Sequence, residues 1–175
     1  ALKDREEYTE TILSTIHSGL YVMNEKGETT LINKALTEIL GYDDNDLIGK
    51  SAHEKFHLHH LDQFSCPLFK VIAKNKEYSG SEIFKAKDGR LVYVNVTSKP
   101  LVYKGEKSAV VTFTDITPLK EKEDDLTRYN YLLSIIFENS PDAIMLVSEG
   151  KIININDNMI KEFCVPVDLL AESID

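Results

Sequence analysis

The strongest constraint on how this chain can fold is a paired alternation between Lys87 and Thr117. Val92, Val94, Val96 and Ser98 alternate with Leu91, Tyr93, Asn95 and Thr97. After Lys104-Gly105, Ala109, Val111 and Phe113 alternate with Val110, Thr112 and Thr114. A period of two places successive side chains on opposite faces of a strand. Lys87-Asp88-Gly89 and Lys104-Gly105 supply residues that tolerate positive φ in turns. The reading is two long antiparallel strands, closed by Asp115-Ile116-Thr117, with one apolar face that the preceding chain must cover.

That preceding chain punctuates itself. Residues 4–18 read as a helix, with Tyr8, Ile12, Leu13 and Ile16 on one face. Leu20–Met23 and Glu28–Ile32 read as strands about the turn Asn24–Gly27. Asn33 is a suitable N-cap for a helix that carries Ala35, Leu36, Ile39 and Leu40 and ends at Gly41. Tyr42–Gly49 is a polar loop with helix-capping carboxylates; it lacks the alternating acids and distal Glu of a calcium loop. Residues 51–66 hold four of the five histidines, His53, His57, His59 and His60, and end at Cys66. Pro67 opens a helix bearing Leu68, Phe69, Val71 and Ile72, and Tyr78–Lys85 is a strand.

Past Thr117 the pattern changes. Thr117 can cap a helix with Pro118 at its first position. Leu119, Leu126 and Leu133 fall at heptad spacing, with Tyr129 and Ile136 between them and Lys122 interrupting the seam. Both a helix that pairs with its twin and a plain amphipathic linker fit this pattern. The chain then starts again. Ile12-Leu13 returns as Ile135-Ile136, Gly27 as Gly150 and Asn33 as Asn156. Leu20–Met23 corresponds to Ala143–Leu146 with a slip of about one residue at the turn. The organisation is a helix over 1–18, a module over 19–117, a linking helix over 118–139 and the opening of a second module over 140–175. Two strands and a short helix cannot close a sheet over a core of their own.

Composition excludes several classes. A net charge of −9 leaves no basic patch for nucleic acid. No window approaches the roughly 18 apolar residues of a membrane span, and no signal peptide opens the chain. The first residue is Ala, which reads as a piece of a longer protein whose anchor, if it has one, lies elsewhere. Cys66 and Cys164 sit in unlike contexts, which suggests free thiols and a reducing, cytoplasmic compartment. There is no Gly-rich phosphate loop, Gly-x-Ser-x-Gly, His-Glu-x-x-His or kinase signature. His17 lacks the context of a phosphoacceptor. Catalysis, if the parent has it, falls outside these residues.

Taken in order, Gly19, Gly27, Asn33, Gly41-Tyr42, Leu47-Ile48-Gly49, Lys87-Asp88-Gly89-Arg90, Pro100-Leu101 and Asp115-Ile116-Thr117 resemble a PAS sensory domain. The resemblance runs from about Glu7 to Leu119, and again as a truncated copy from Tyr131 to Asp175. It implies an α+β fold: a five-stranded antiparallel sheet of order 2-1-5-4-3 with helices on one face. It also implies a sensor or relay module in a signalling protein, most often a histidine kinase, or else a diguanylate cyclase or transcription regulator. A homodimer through the terminal and linker helices and a downstream output domain are the implied partners.

On that resemblance a ligand site between sheet and helices takes Val92, Val94, Val96, Val111, Phe113 and Phe84 from the strands. It takes Leu40, Phe56, Phe64 and Phe69 from the helical wall. His57, His60, Glu82 or Ser98 would supply polar groups. The alternative is that these apolar residues pack on one another without a cavity. The family's cofactors fare unequally. Ser51–Phe56 stands where flavin photoreceptors carry a reactive Cys, and Phe84, Val94 and Phe113 replace flavin-binding amides, which argues against flavin. His60 falls near the position of a haem ligand, although loop histidines are commoner without haem. No Cys-x-x-Cys-His exists for covalent haem c. His57, His59 or His60 with Cys66 offer metal-ligand types at a spacing that matches no standard zinc pattern. A small organic ligand stays open. Asp115, Ile116 and Thr117 are the expected coupling from sheet to outgoing helix.

Overall fold

The structure, a computed structural model, describes residues 11, 15–58, 62–103 and 105–164. Most of the helix expected over 4–18, with Tyr8, Ile12 and Leu13, lies outside the described residues, as do His59, His60 and Lys104. Two compact units divide the chain, residues 1–120 and 121–175.

In the first unit the expected sheet is present. Strands β1 (Gly19–Asn24), β2 (Thr29–Ile32), β3 (Tyr78–Lys85), β4 (Leu91–Tyr103) and β5 (Glu106–Asp115) run antiparallel in the order β2-β1-β5-β4-β3. Four short helices cover one face: α1 (Lys34–Leu40), α2 (Asp44–Leu47), α3 (Ala52–Phe56) and α4 (Pro67–Lys74). Their inward residues, among them Leu36, Leu40, Leu47, Phe56, Leu68 and Val71, are fully buried against Val92, Val94, Val96, Val111 and Phe113. Leu91 and Tyr93, one residue out of phase, are exposed, as a period of two requires. Pro100 is tolerated in β4 because β3 pairs only as far as Ser98, so its missing N–H faces an open edge.

Local chemistry fixes each helix end. Asn33 Oδ1 accepts from the Leu36 amide at 3.1 Å, and Gly41 closes α1 at φ 75°. The polar loop at 42–49 holds one turn of helix, because Asp43 and Asp46 form a reciprocal capping box. Lys87 reaches Asp46 at 2.6 Å and ties the β3–β4 turn to that helix. The carboxyl of Asp46 is held below the usual range by this ammonium and by the Asp43 amide.

Asn33 does more than cap. Its Oδ1 also accepts from Leu20 N–H at 2.8 Å, and its Nδ2 donates to Ser18 C=O at 2.9 Å. One buried side chain thus joins the start of β1 to α1. Asn33→Ala strands two amides and a carbonyl in the interior, and we expect a loss of about 2 kcal/mol in urea unfolding. A midpoint equal to wild type would remove Asn33 from the joint.

Helix α5 (Thr117–Glu138) leaves the sheet and runs into the second unit. There β6 (Met145–Ser148) and β7 (Lys151–Ile155) pair antiparallel, with α6 (Asp157–Phe163) next in the chain. Asn156 repeats Asn33: Oδ1 accepts from Met159 N–H at 3.0 Å and Ile144 N–H at 2.8 Å, and Nδ2 donates to Asp142 C=O at 2.8 Å. The equivalent of Leu20 is therefore Ile144, one residue later than a constant offset gives. The turn explains this. Ser148 pairs directly with Lys151 across Glu149-Gly150, both at positive φ, whereas Met23 pairs with Thr29 across a longer turn. Met145, Leu146, Val147 and Ile153 stay exposed in this unit, as two strands and one helix dictate. Among the described residues no helix is long and apolar enough to cross a membrane.

Candidate functional site

The expected ligand-site residues converge, but on one another. Leu40, Phe56, Phe69, Phe84, Val92, Val94, Val96, Val111 and Phe113 all belong to one buried cluster. Phe84 meets Phe56 at 5.0 Å and Phe113 at 5.2 Å between ring centroids, both edge-on, and Tyr21 meets Phe56 at 5.5 Å. Leu40, Phe56, Val94 and Val111 retain 0% of their accessible surface. A void able to hold a water would leave accessible surface on its lining, so the protein's own side chains fill the space around these four. Ser98 faces inward but donates to Leu68 C=O at 3.0 Å, and Glu82 accepts from Tyr78 OH at 3.2 Å.

Phe64 is a correction: expected on the helical wall, it is 68% exposed. The chain makes a single 3₁₀ turn at Gln63–Ser65, capped by the Asp62 carboxylate on Ser65 N–H. Gln63 is the anchor of that turn, donating to Lys26 C=O and accepting from Ser51 OH, each at 2.7 Å. With Gln63 pinned, Phe64 points out and leans edge-on against Phe69 at 5.4 Å.

His57 sits at the border of the cluster. Its ring stacks on Phe84 at 4.9 Å and 4°, and its Nε2 lies 3.1 Å from Tyr21 OH. Its backbone bridges to Phe84, so β3 holds the end of α3 in place. On the other ring side, Nδ1 lies 3.7 Å from Cys66 Sγ. Burial pushes the Cys66 thiol up, against the pull of the Phe69 and Leu68 amides at the start of α4. Burial likewise raises the Tyr21 phenol well above its ordinary value. His53, one helical turn before His57, completes a group in which the three ligand atoms lie within 4.8 Å of one another. By sequence, the partners of Cys66 are His57, His59 and His60. His53 and Tyr21 escape that reading, although an i, i+4 histidine pair on a helix is a legible signal.

The exit from the sheet is pinned on both sides of Tyr93. Ile116 N–H donates to Tyr93 C=O at 2.8 Å, and Tyr93 N–H donates to Thr117 Oγ1 at 2.9 Å. Asp115 Oδ1 accepts Thr117 N–H at 2.8 Å. The helix therefore starts at Thr117, the expected cap, one residue before the expected first position, Pro118. Its hydroxyl bonds to the sheet, and Asp115 takes the orphan amide. Beyond it, Leu119, Leu126, Tyr129, Leu133 and Ile136 are all exposed.

A family model described as the PAS fold matches residues 7–116, and one described as a PAS domain matches residues 131–175. Sporulation kinase A of Bacillus subtilis is 25% identical over 152 residues, which are 85% of this chain and 25% of that protein. The chain thus spans about a quarter of that relative. The solved PAS domain of an HTR-like protein from Haloarcula marismortui aligns with a TM-score of 0.58 at 19% identity, over 66% of this chain and 94% of that one. The PAS domain of nitrogen regulation protein NR(II) from Vibrio parahaemolyticus aligns with a TM-score of 0.52 at 16% identity, over 62% and 97%. At such identities the two structures speak for the fold alone.

Proposed function

Since the PAS model covers more than half of its residues, this chain belongs to the PAS family, and from that premise we propose that it is the input and relay module of a cytoplasmic sensor histidine kinase. Its relatives support a signalling module, and the name of the Bacillus relative supports a kinase parent. The observation that carries the relay is the joint at Tyr93. Tyr93 of β4 bonds Ile116 and Thr117, and Asp115 at the end of β5 bonds Thr117, so a change in the sheet alters the seat of the helix. The exposed stripe of Leu119, Leu126, Tyr129, Leu133 and Ile136 suits pairing with the same helix of a second copy. Kinase output would follow from the rotation or register of that pair.

The closed aromatic interior favours a second form of the same reading, in which the module relays contacts from a partner and holds no ligand. A ligand among Phe56, Phe84, Val94 and Phe113 would enter only by displacing rings that now touch.

Insertions of one to seven residues after Glu123 in the full-length protein test the relay. Each inserted residue rotates the downstream helix by about 100°, and a heptad nearly restores the phase of the seam. Autophosphorylation should lose its response to the signal with two or five inserted residues, which turn the seam to the far side, and regain it with seven. A response independent of insert length would count against the helix as the conductor.

A further inference from the structure

We propose that His53, His57 and Cys66 form a binding site for a zinc-class divalent ion. The inference goes beyond the signalling role and holds whether or not the ion is the signal. Two imidazoles and one thiolate are the ligand types that Zn²⁺ takes, with the fourth position left to water. In a tetrahedron with Zn–N near 2.0–2.1 Å and Zn–S near 2.3 Å, the N–S edge is about 3.6 Å. His57 Nδ1 and Cys66 Sγ already stand 3.7 Å apart. His53 brings its ligand atom within 4.8 Å of both from the adjacent turn of α3, and rotation of its half-buried side chain shortens that separation.

The surroundings are those of a supported ligand set. With Nδ1 turned to the ion, His57 Nε2–H donates to Tyr21 OH at 3.1 Å, which fixes tautomer and ring angle. The face of Phe84 holds the same ring at 4.9 Å. Cys66 is placed by Pro67 at the start of α4, where Phe69 and Lys70 N–H groups bond its carbonyl at 3.1 Å and 3.0 Å. Glu82, half-buried on the inner face of β3, is near enough to act on both Cys66 and Tyr21 and adds negative potential. Solvent reaches the group through His53 and His57, which are half-buried, while Cys66 is 1% exposed. The ion would link α3 to α4 across residues 57–66.

Cobalt(II) titration of the chelator-treated chain reads the site directly, since thiolate coordination gives a sulfur-to-cobalt charge-transfer band and four-coordination gives intense visible bands. One equivalent should bind, and added Zn²⁺ should bleach both. Cys66→Ser should abolish the charge-transfer band, while Cys164→Ser leaves it. His53→Gln should weaken binding at least about tenfold, and Tyr21→Phe by about tenfold, the lower end seen for outer partners of ligating histidines. Replacing His59 and His60 together by Gln should change nothing. No band, a band that survives Cys66→Ser, an affinity indifferent to His53→Gln, or loss with the His59/His60 pair would each overturn the site. Circular dichroism confirms that the variants fold; Cys66→Ser, His53→Gln and the His59/His60 pair decide the matter without a change at His57.

Discussion

Gly19→Ala should destabilise the first unit by about 1–3 kcal/mol, and Phe113→Ala by about 3–5 kcal/mol. The double variant should cost no more than Phe113→Ala alone. Gly19 and Phe113 face each other across β1 and β5, and the Phe113 ring lies flat over the glycine. A Cβ built on Gly19 would stand 2.1 Å from Phe113 Cζ and 2.5–2.6 Å from both Cε atoms. The ring has little room to retreat, because it is 1% exposed and also packs edge-on with Phe84 at 5.2 Å. Removing the ring costs its buried contacts and leaves a cavity, but it also frees the space that a methyl at position 19 needs. Contacting residues are where additivity fails. Urea unfolding of the four proteins measures the coupling. Strictly additive losses would mean that the ring is not what makes glycine necessary.

Asp115→Ala should leave the domain folded yet cut the coupling between signal and output by about tenfold, within the roughly 5–150-fold range of such couplings. The substitution removes one hydrogen bond, to Thr117 N–H, at a cost to stability of about 0.5–1.5 kcal/mol. The stability effect is small because Asp115 is the last residue of β5 and lies outside the buried cluster. The effect on output is large because the orphan amide at the head of α5 is then free to seek water, and the first turn can fray. Thermal unfolding and signal-dependent phosphorylation of the full-length variant separate the two effects. A full response in a folded Asp115→Ala protein would relieve this carboxylate of its role.

The sheet is readable from sequence because Val92–Ser98 and Ala109–Phe113 state their faces by alternation, and the burial of these residues obeys it. Asn33 and Asn156 are readable as a repeat because a side-chain cap is a local device. What escapes the sequence depends on register or on turns. Tyr93 meets Ile116 and Thr117 only because β4 pairs with β5 in one register, which no spacing in the chain announces. Phe64 looks like core by its type, but a capped 3₁₀ turn decides its direction and Gln63, a polar residue, holds the inward position. Nothing in the sequence matches His53 to Cys66; α3 sets it one turn from His57, and α4 carries Cys66 to them.

The proposed relay requires that β4 and the outgoing helix move as one piece through Thr117. Thr117→Ser and Thr117→Val, compared in the intact signalling protein, decide whether they do. Serine keeps the hydroxyl that accepts from Tyr93 N–H, while valine keeps the shape and loses the acceptor. Phosphorylation should follow the signal normally with serine and cease to follow it with valine, both proteins being folded. A valine variant that responds like wild type would show that strand and helix do not communicate through this hydroxyl.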